Sequence, residues 1–127
     1  MKLTSIQTQQ APAAIGPYSQ AVCHGNTLYV SGQIPLDPAT GALVTEDVAE
    51  QTKQCMENAK AIIHCAGASL NDVIKTSIYV RDMAEFGRIN EAYGAYFTEH
   101  KPARVCVEVS RLPKDVKFEI EMIVAIP

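Results

Sequence analysis

The stretch ARVCVEVSRLPKDVKFEIEMIVAI, residues 103–126, decides the fold. It contains two β-rich runs, 103–110 and 116–126, and the residues between them include a proline and an aspartate, which favour a turn. We therefore expect two strands joined by a hairpin. Successive side chains of a strand point to opposite faces of the sheet. The second run accordingly predicts one apolar face, made of Phe118, Ile120, Met122, Val124 and Ile126.

The opposite faces of these two strands are mixed in character. If the valines of the first run pack under helices, its other face carries Arg104, Cys106, Glu108 and Ser110. In the second run, Glu119 and Glu121 share a face with Ile123 and Ala125. This surface is either an exposed antiparallel face with weak ion pairs at its rim, or a face buried against sister subunits with its charges in an interfacial cleft.

Two helices are predicted upstream of this stretch. Thr45 is a candidate cap for the first helix, whose apolar residues recur at helical spacing from Val48 until Gly67. A capping box of Asp82 and Glu85 would start the second helix. One face of that helix carries Phe86, Ile89, Tyr93 and Phe97. The other carries Gly87, Asn90 and Gly94, which suit either solvent or the close approach of another chain.

The remaining segments predict further strands. Residues 72–82 alternate in a β-branched pattern, and residues 18–33 contain two runs around Gly25 and Asn26, a turn dipeptide that indicates a hairpin. Residues 34–43 are rich in proline and glycine and predict a loop. A short extra strand is expected at Leu3 to Gln7. This order predicts an α+β fold with helices on one face of a mixed sheet, in a single domain of residues 1–127.

Composition narrows the classes of function. The formal charge of −3 gives no basic surface for nucleic acid. The four cysteines form no metal-ligand spacing with the three histidines, and we interpret them as reduced thiols of a cytoplasmic protein. We identify neither a secretory signal nor an apolar run of membrane-spanning length, so membrane anchoring is not expected.

Several sequence blocks resemble the RidA branch of the Rid (reactive intermediate deaminase) family, also called the YjgF or L-PSP family. The resemblance extends from about Ala11 to the C-terminus. The blocks are Gly16-Pro17-Tyr18, Ser31-Gly32-Gln33-Ile34-Pro35, Asn90, Pro102 to Val109 and Leu112 to Glu121. The resemblance implies a chorismate-mutase-like fold and a homotrimeric barrel with active sites between neighbouring subunits. It also implies cofactor-free hydrolysis of enamine and imine intermediates, released by pyridoxal-phosphate enzymes, to 2-keto acids and ammonia.

The resemblance also implies roles for individual residues. Arg104 matches the arginine that binds the substrate carboxylate, a task for which a guanidinium fork is suited. Glu119 matches the acid associated with the attacking water, and burial can raise the pKa of such a carboxyl group. The other lining positions fall on Tyr18, Ser31, Gly32, Asn90 and Cys106. For Cys106 we expect the backbone to matter more than the thiol.

Alternatives remain at three points. Glu121 shares a face with Glu119, and a hairpin centred near Pro113 would place it opposite Cys106. The function also has two alternatives to a deaminase. One is an endoribonuclease or translation inhibitor of the L-PSP type, and the other is a carboxylate-binding module without turnover. The connection between His100 and Pro102 is shorter than in close relatives, which puts the substrate range in doubt more than the reaction type.

Overall fold

The strand predicted at residues 116–126 lies near the centre of a six-stranded mixed sheet. A computed structural model describes residues 2–127 of the chain. The strands, in chain order, are β1 (Leu3–Ile6), β2 (Ala21–His24), β3 (Thr27–Gln33), β4 (Val73–Val80), β5 (Ala103–Glu108) and β6 (Phe118–Ala125). Their order across the sheet is β1-β2-β3-β6-β4-β5. All neighbours are antiparallel except β4 and β5.

Two helices, α1 (Val48–Cys65) and α2 (Phe86–Gly94), cover one face of this sheet. The predicted alternation of β6 is confirmed: Phe118, Ile120, Met122 and Val124 are buried in the core beneath the helices. Met56, Ile62 and Ile63 of α1 and Ile89 of α2 meet them there. The chain therefore has the α+β architecture that was predicted, with one covered face and one open face.

The predicted hairpin between the last two strands is wrong. Strand β4 lies between β5 and β6 and pairs with both, in parallel with β5 and antiparallel to β6. Parallel strands need a crossover connection, and the segment containing α2 supplies it. The segment Arg111 to Lys117 thus connects strands that are not neighbours, although the three residues Pro113–Asp115 do form a short 3-10 turn.

The predicted orientation of β5 is also wrong. Thr76 and Ile78 of β4, which are buried beneath the helices, pair with Arg104 and Cys106. Because paired residues of neighbouring strands point to the same face, Arg104 and Cys106 lie on the helix side. Val105 and its neighbour Val107 instead lie on the open face, where they are about two-fifths exposed (43% and 42%).

The helix ends differ in detail from the predictions. Asp47, and not Thr45, caps α1, because its carboxylate accepts a hydrogen bond from the backbone N–H of Glu50. The hydroxyl of Thr45, two residues before the cap, accepts one from the N–H of Asp47. Asp82 caps the short 3-10 turn Met83–Glu85 that precedes α2, but it does so through the N–H of Ala84 and without the reciprocal contact of a capping box.

Two bulges interrupt the ladders of the sheet. In β3, Val30 pairs with Met122 and Gln33 pairs with Ile120, so that β3 has one extra residue at Ser31-Gly32. A second irregularity, between Val73 and Lys75 of β4, breaks the predicted alternation at the start of that strand, where Val73 is buried and Ile74 is exposed.

The predicted turn at Gly25 and the predicted loop at residues 34–43 agree with the structure. Gly25, with φ of 61°, makes the turn between β2 and β3. The loop at residues 34–43 is fastened to α1 by Asn58, whose buried side-chain amide donates to the carbonyl oxygens of Ile34 and Leu36. Within residues 2–127, no helix is both long and apolar enough to cross a bilayer.

Candidate active site

Arg104 is held in place at the edge of the sheet by α2. Its Nη1 donates a hydrogen bond of 2.6 Å to the side-chain oxygen of Asn90. Its guanidinium carbon lies 5.4 Å from the ring centre of Phe86 and 5.1 Å from that of Tyr93, within the range of cation–π attraction. The hydroxyl of Tyr93 is in turn 2.9 Å from that of the buried Thr76. Helix α2 thus orients the arginine from three positions on one face.

The charge of Arg104 has no acidic partner in the part of the chain that the structure describes. The ion pairs of residues 2–127 use Lys53, Arg81, Arg88 and Arg111 as cations. An exposed guanidinium with one edge held by an amide leaves other N–H groups able to bind a carboxylate. The remaining N–H groups of Arg104 are therefore available to an anion from outside the described chain.

Cys106 lies two residues after Arg104 on the same face. Its side chain is half-buried and packs against the core. Burial raises the pKa of the thiol, and the positive charge of Arg104 offsets this only in part. Since the thiolate is the nucleophilic form of cysteine, Cys106 is not an activated nucleophile.

A second group of predicted residues lies around the bulge of β3. A Cβ atom added to Gly32 would overlap the carboxylate of Glu119, so only glycine leaves room for this acid. The hydroxyl of Ser31 donates a 2.6 Å hydrogen bond to the carbonyl oxygen of Ser19, which fixes the segment that carries Tyr18 beside the bulge. Tyr18 itself is half exposed (52%).

Glu119 and Glu121 differ in burial and in their polar contacts. Its side chain is half-buried, and burial raises its pKa; the nearby negative charge of Glu121 raises it further. The rival residue, Glu121, is exposed and accepts a hydrogen bond from the hydroxyl of Tyr79. Of the two carboxylates, Glu119 is therefore the one placed against the bulge.

The two groups of residues lie on opposite faces of the same sheet. Arg104, Asn90 and Cys106 are on the helix side, whereas Glu119 pairs across the sheet with Tyr79 and points to the open face. Strand β4 separates β5 from β6, which puts these strands roughly 10 Å apart at about 4.8 Å per neighbour. A single chain consequently does not bring all the predicted residues into one cleft.

Comparison with known proteins identifies the family. The sequence profile of the family described as "Endoribonuclease L-PSP" matches residues 8–126, nearly the whole chain. This chain is a member of the L-PSP, or Rid, family. A RutC family protein of Pyrococcus horikoshii is 59% identical over 118 residues, with 93% of this chain and 94% of the relative covered.

Two further relatives of this Rid chain bear on its function. The 2-iminobutanoate/2-iminopropanoate deaminase of Salmonella typhimurium is 55% identical over 122 residues, which cover 94% of each chain. The crystal structure of Escherichia coli TdcF with bound serine superimposes with a TM-score of 0.93 at 47% identity, and covers 98% of this chain and 99% of that one. The Rid fold and a relationship to deaminases are therefore both established.

The sequence-based assignment of Asn90 to the face of α2 opposite Phe86 and Tyr93 is wrong, because all three residues contact Arg104. Sequence reasoning also missed Phe86 and Tyr93 as residues of this Rid site, since it assigned them only to the apolar face of α2. With Asn90 between them they are spaced at i, i+4 and i+7, and this spacing puts all three on one side of a helix. This spacing, together with an arginine predicted to bind ligand, was the signal in the sequence that could have identified the two aromatic residues as neighbours of Arg104. The described residues contain no group of three or more His, Cys, Asp or Glu side chains that could hold a metal ion.

Proposed function

We propose that this Rid protein is a deaminase that hydrolyses 2-iminopropanoate and 2-iminobutanoate to pyruvate and 2-oxobutanoate, with release of ammonia. The observation that carries the proposal is the unpaired Arg104, oriented by Asn90 and two aromatic rings. Both substrates are small and carry the carboxylate that such a guanidinium binds. The deaminase name of a 55% identical relative and the serine held by TdcF favour the same class of ligand.

The chemistry assigned to the site needs a water molecule and a proton carrier. Water adds through its oxygen to the imine carbon, and Glu119 accepts the proton that the water loses. Glu119 then returns this proton to the nitrogen, which gives a carbinolamine. It next accepts the proton of the new hydroxyl group and passes it to the nitrogen, so that the carbon–nitrogen bond breaks, the carbonyl forms and ammonia leaves. A half-buried carboxyl group with a raised pKa suits both steps, because general acid–base catalysis is most efficient when the pKa lies close to the working pH.

The complete site is assigned to an interface between copies of this chain, in a homotrimer. Arg104, Asn90 and Cys106 of one subunit would face Glu119, Gly32, Ser31 and Tyr18 of its neighbour. The proposal rests on the separation of the two groups on opposite faces, and on the apolar side chains that the open face exposes. These include Tyr29, Val105 and Val107. We place this assembly in the cytoplasm, where the four free cysteines would stay reduced.

The test is the rate of keto-acid release from imines generated in situ by an amino-acid oxidase. The intact protein should accelerate release above the spontaneous rate, Arg104→Ala should not, and Arg104→Lys should lose most of the effect because a lysine cannot form two parallel hydrogen bonds with a carboxylate. Arg111→Ala, which removes an exposed arginine of similar charge, serves as the matched control. No acceleration by the intact protein, together with saturable binding of a keto acid, would indicate a binding module instead.

A second candidate function is an endoribonuclease, because the matching family is described by that name. The three histidines, residues suited to acid–base cleavage of RNA, are dispersed: His24 is in β2, His64 is in α1, and His100 is held by the carbonyl oxygen of Val73. The acidic net charge also gives little attraction for phosphates. Cleavage of a labelled RNA by the intact protein, abolished in Arg104→Ala, would favour this alternative.

A further inference from the structure

Glu119 and Glu121 project from the same face of β6 two residues apart, but they differ in burial and in hydrogen bonding. Glu119 is half-buried against Gly32, whereas Glu121 is exposed and accepts a 3.2 Å hydrogen bond from the hydroxyl of Tyr79. Tyr79 pairs directly with Glu119 across the sheet, and its side chain reaches diagonally past that residue to Glu121. One tyrosine therefore occupies the space beside both carboxylates and hydrogen-bonds to one of them.

Lys75 lines a pocket of the open face together with Glu121, but no cation of the described chain forms an ion pair with either carboxylate. No lysine or arginine nitrogen of residues 2–127 lies within 4.0 Å of either carboxylate. On β4, Ser77 faces Glu121, and Lys75 lies one pair further along, opposite Ile123. On β3, the neighbours are Ser31 and Gly32, which carry no charge. Beneath the sheet, the thiol of Cys55 donates to the carbonyl oxygen of Phe118.

Two like charges on one strand face raise each other's proton affinity, and the group that is better hydrated or hydrogen-bonded in its charged form stays ionised. Glu121 is exposed and has the phenol donor, whereas Glu119 is half-buried and accepts no hydrogen bond within the described residues. We propose that Tyr79 and Glu121 are positioning residues for Glu119. The phenol holds the Glu121 carboxylate beside Glu119, and this neighbour makes Glu119 the member of the pair that takes up the catalytic proton. The inference rests on the proposed deaminase function and adds two residues to it.

The electrostatics of the cluster agree with this assignment. Burial raises the pKa of Glu119, and the second cause of its increase is the charge of Glu121. Burial and the charges of both glutamates raise the pKa of Tyr79, which keeps the phenol protonated and able to donate at neutral pH. The donor in the Tyr79–Glu121 hydrogen bond is thus the tyrosine.

The test is a titration of the glutamate carboxyl groups by carbon-13 NMR in the intact protein. Glu119 is assigned through the signal that disappears in Glu119→Gln. We expect its midpoint to move to lower pH in Glu121→Gln, and to move in the same direction but less far in Tyr79→Phe, since an untethered Glu121 can turn into solvent. Two variants serve as matched controls. Tyr29→Phe removes a phenol from the same face, and Glu46→Gln removes one exposed carboxylate before α1. Neither should move the midpoint.

The rate of imine hydrolysis provides a second, separate measurement. Because Glu119 must be ionised to accept a proton from water, the acid limb of kcat/KM should shift to lower pH in Glu121→Gln and Tyr79→Phe. An unchanged Glu119 midpoint in both variants would overturn the positioning role even if hydrolysis is observed. A shifted midpoint in a protein without hydrolysis would instead overturn the deaminase proposal and leave the coupling of the two carboxylates intact.

Discussion

At the scale of single residues, the close approach of Gly32 and Glu119 makes the site sensitive to one methyl group. In Gly32→Ala the new Cβ would displace the Glu119 carboxylate, which is the end of a flexible side chain and can move without disturbing the backbone. We therefore expect little change in Tm and a loss of kcat of about tenfold or more, equivalent to about 1.4 kcal/mol or more of activation free energy.

A double variant identifies the cause of that loss. In a Glu119→Gln background the acid is already inactive, so adding Gly32→Ala should reduce kcat no further. If the two losses multiply instead, Gly32 contributes to catalysis independently of the carboxylate.

Glu119 should also leave a signature in the pH dependence of stability. Its pKa in the folded protein is raised above the ordinary value of 4.5, so the native state binds more protons than the unfolded state in the window between these two values. Stability should therefore fall as the pH rises through this window. Thermal unfolding of Glu119→Gln at several pH values, at one protein concentration, should show this decrease removed and a higher Tm at neutral pH. An unchanged pH profile would contradict the raised pKa.

At the scale of elements, Asp47 joins the two helices that carry and support the site. Its carboxylate caps α1 and also contacts Arg88 of α2 at 2.6 Å, and this hydrogen bond from Arg88 is the main reason that its pKa is lowered. We expect Asp47→Ala to lower the midpoint of chemical unfolding more than Thr45→Ala does, because the threonine hydroxyl only accepts from the N–H of Asp47. Equal effects of the two substitutions would assign the cap to Thr45 after all.

The success of the sequence-based predictions also differed between elements. Strand β6 has neighbours on both sides and one covered face, so its alternation reported the core correctly. Strand β5 is an edge strand, and its exposed Val105 and Val107 do not mark the core side. Alternation alone could not show that β5 pairs with β4, because the partner of a strand is decided by long-range packing. The contact of Arg104 with Asn90 likewise depends on how α2 crosses over the sheet.

At the scale of the whole molecule, the open face should hold the assembly together. Val107→Lys would put a charge among the exposed apolar side chains of that face. Because the Val107 side chain is already solvent-accessible in the single chain, the substitution should not disturb the fold of the subunit. We expect Val107→Lys to remain folded by circular dichroism, to yield smaller species by light scattering, and to lose hydrolysis. Val44→Lys changes an exposed valine in the loop before α1 and should change neither size nor activity. A Val107→Lys protein that is monomeric and fully active would exclude an interfacial site.

The edge position of β5 has a consequence for motion as well as for recognition. Arg104, Asn90, Phe86, Tyr93 and Cys106 all come from one continuous segment, residues 86–106, whose terminal strand is paired only with β4. Segments that open locally often coincide with supersecondary motifs, such as an edge strand with its crossover helix. We expect this half of the site to open as one unit, with loss of the core contacts of Ile89 and Tyr93. A bound carboxylate would then slow amide hydrogen exchange throughout 86–106, which makes that segment a reporter of occupancy far beyond the atoms in contact.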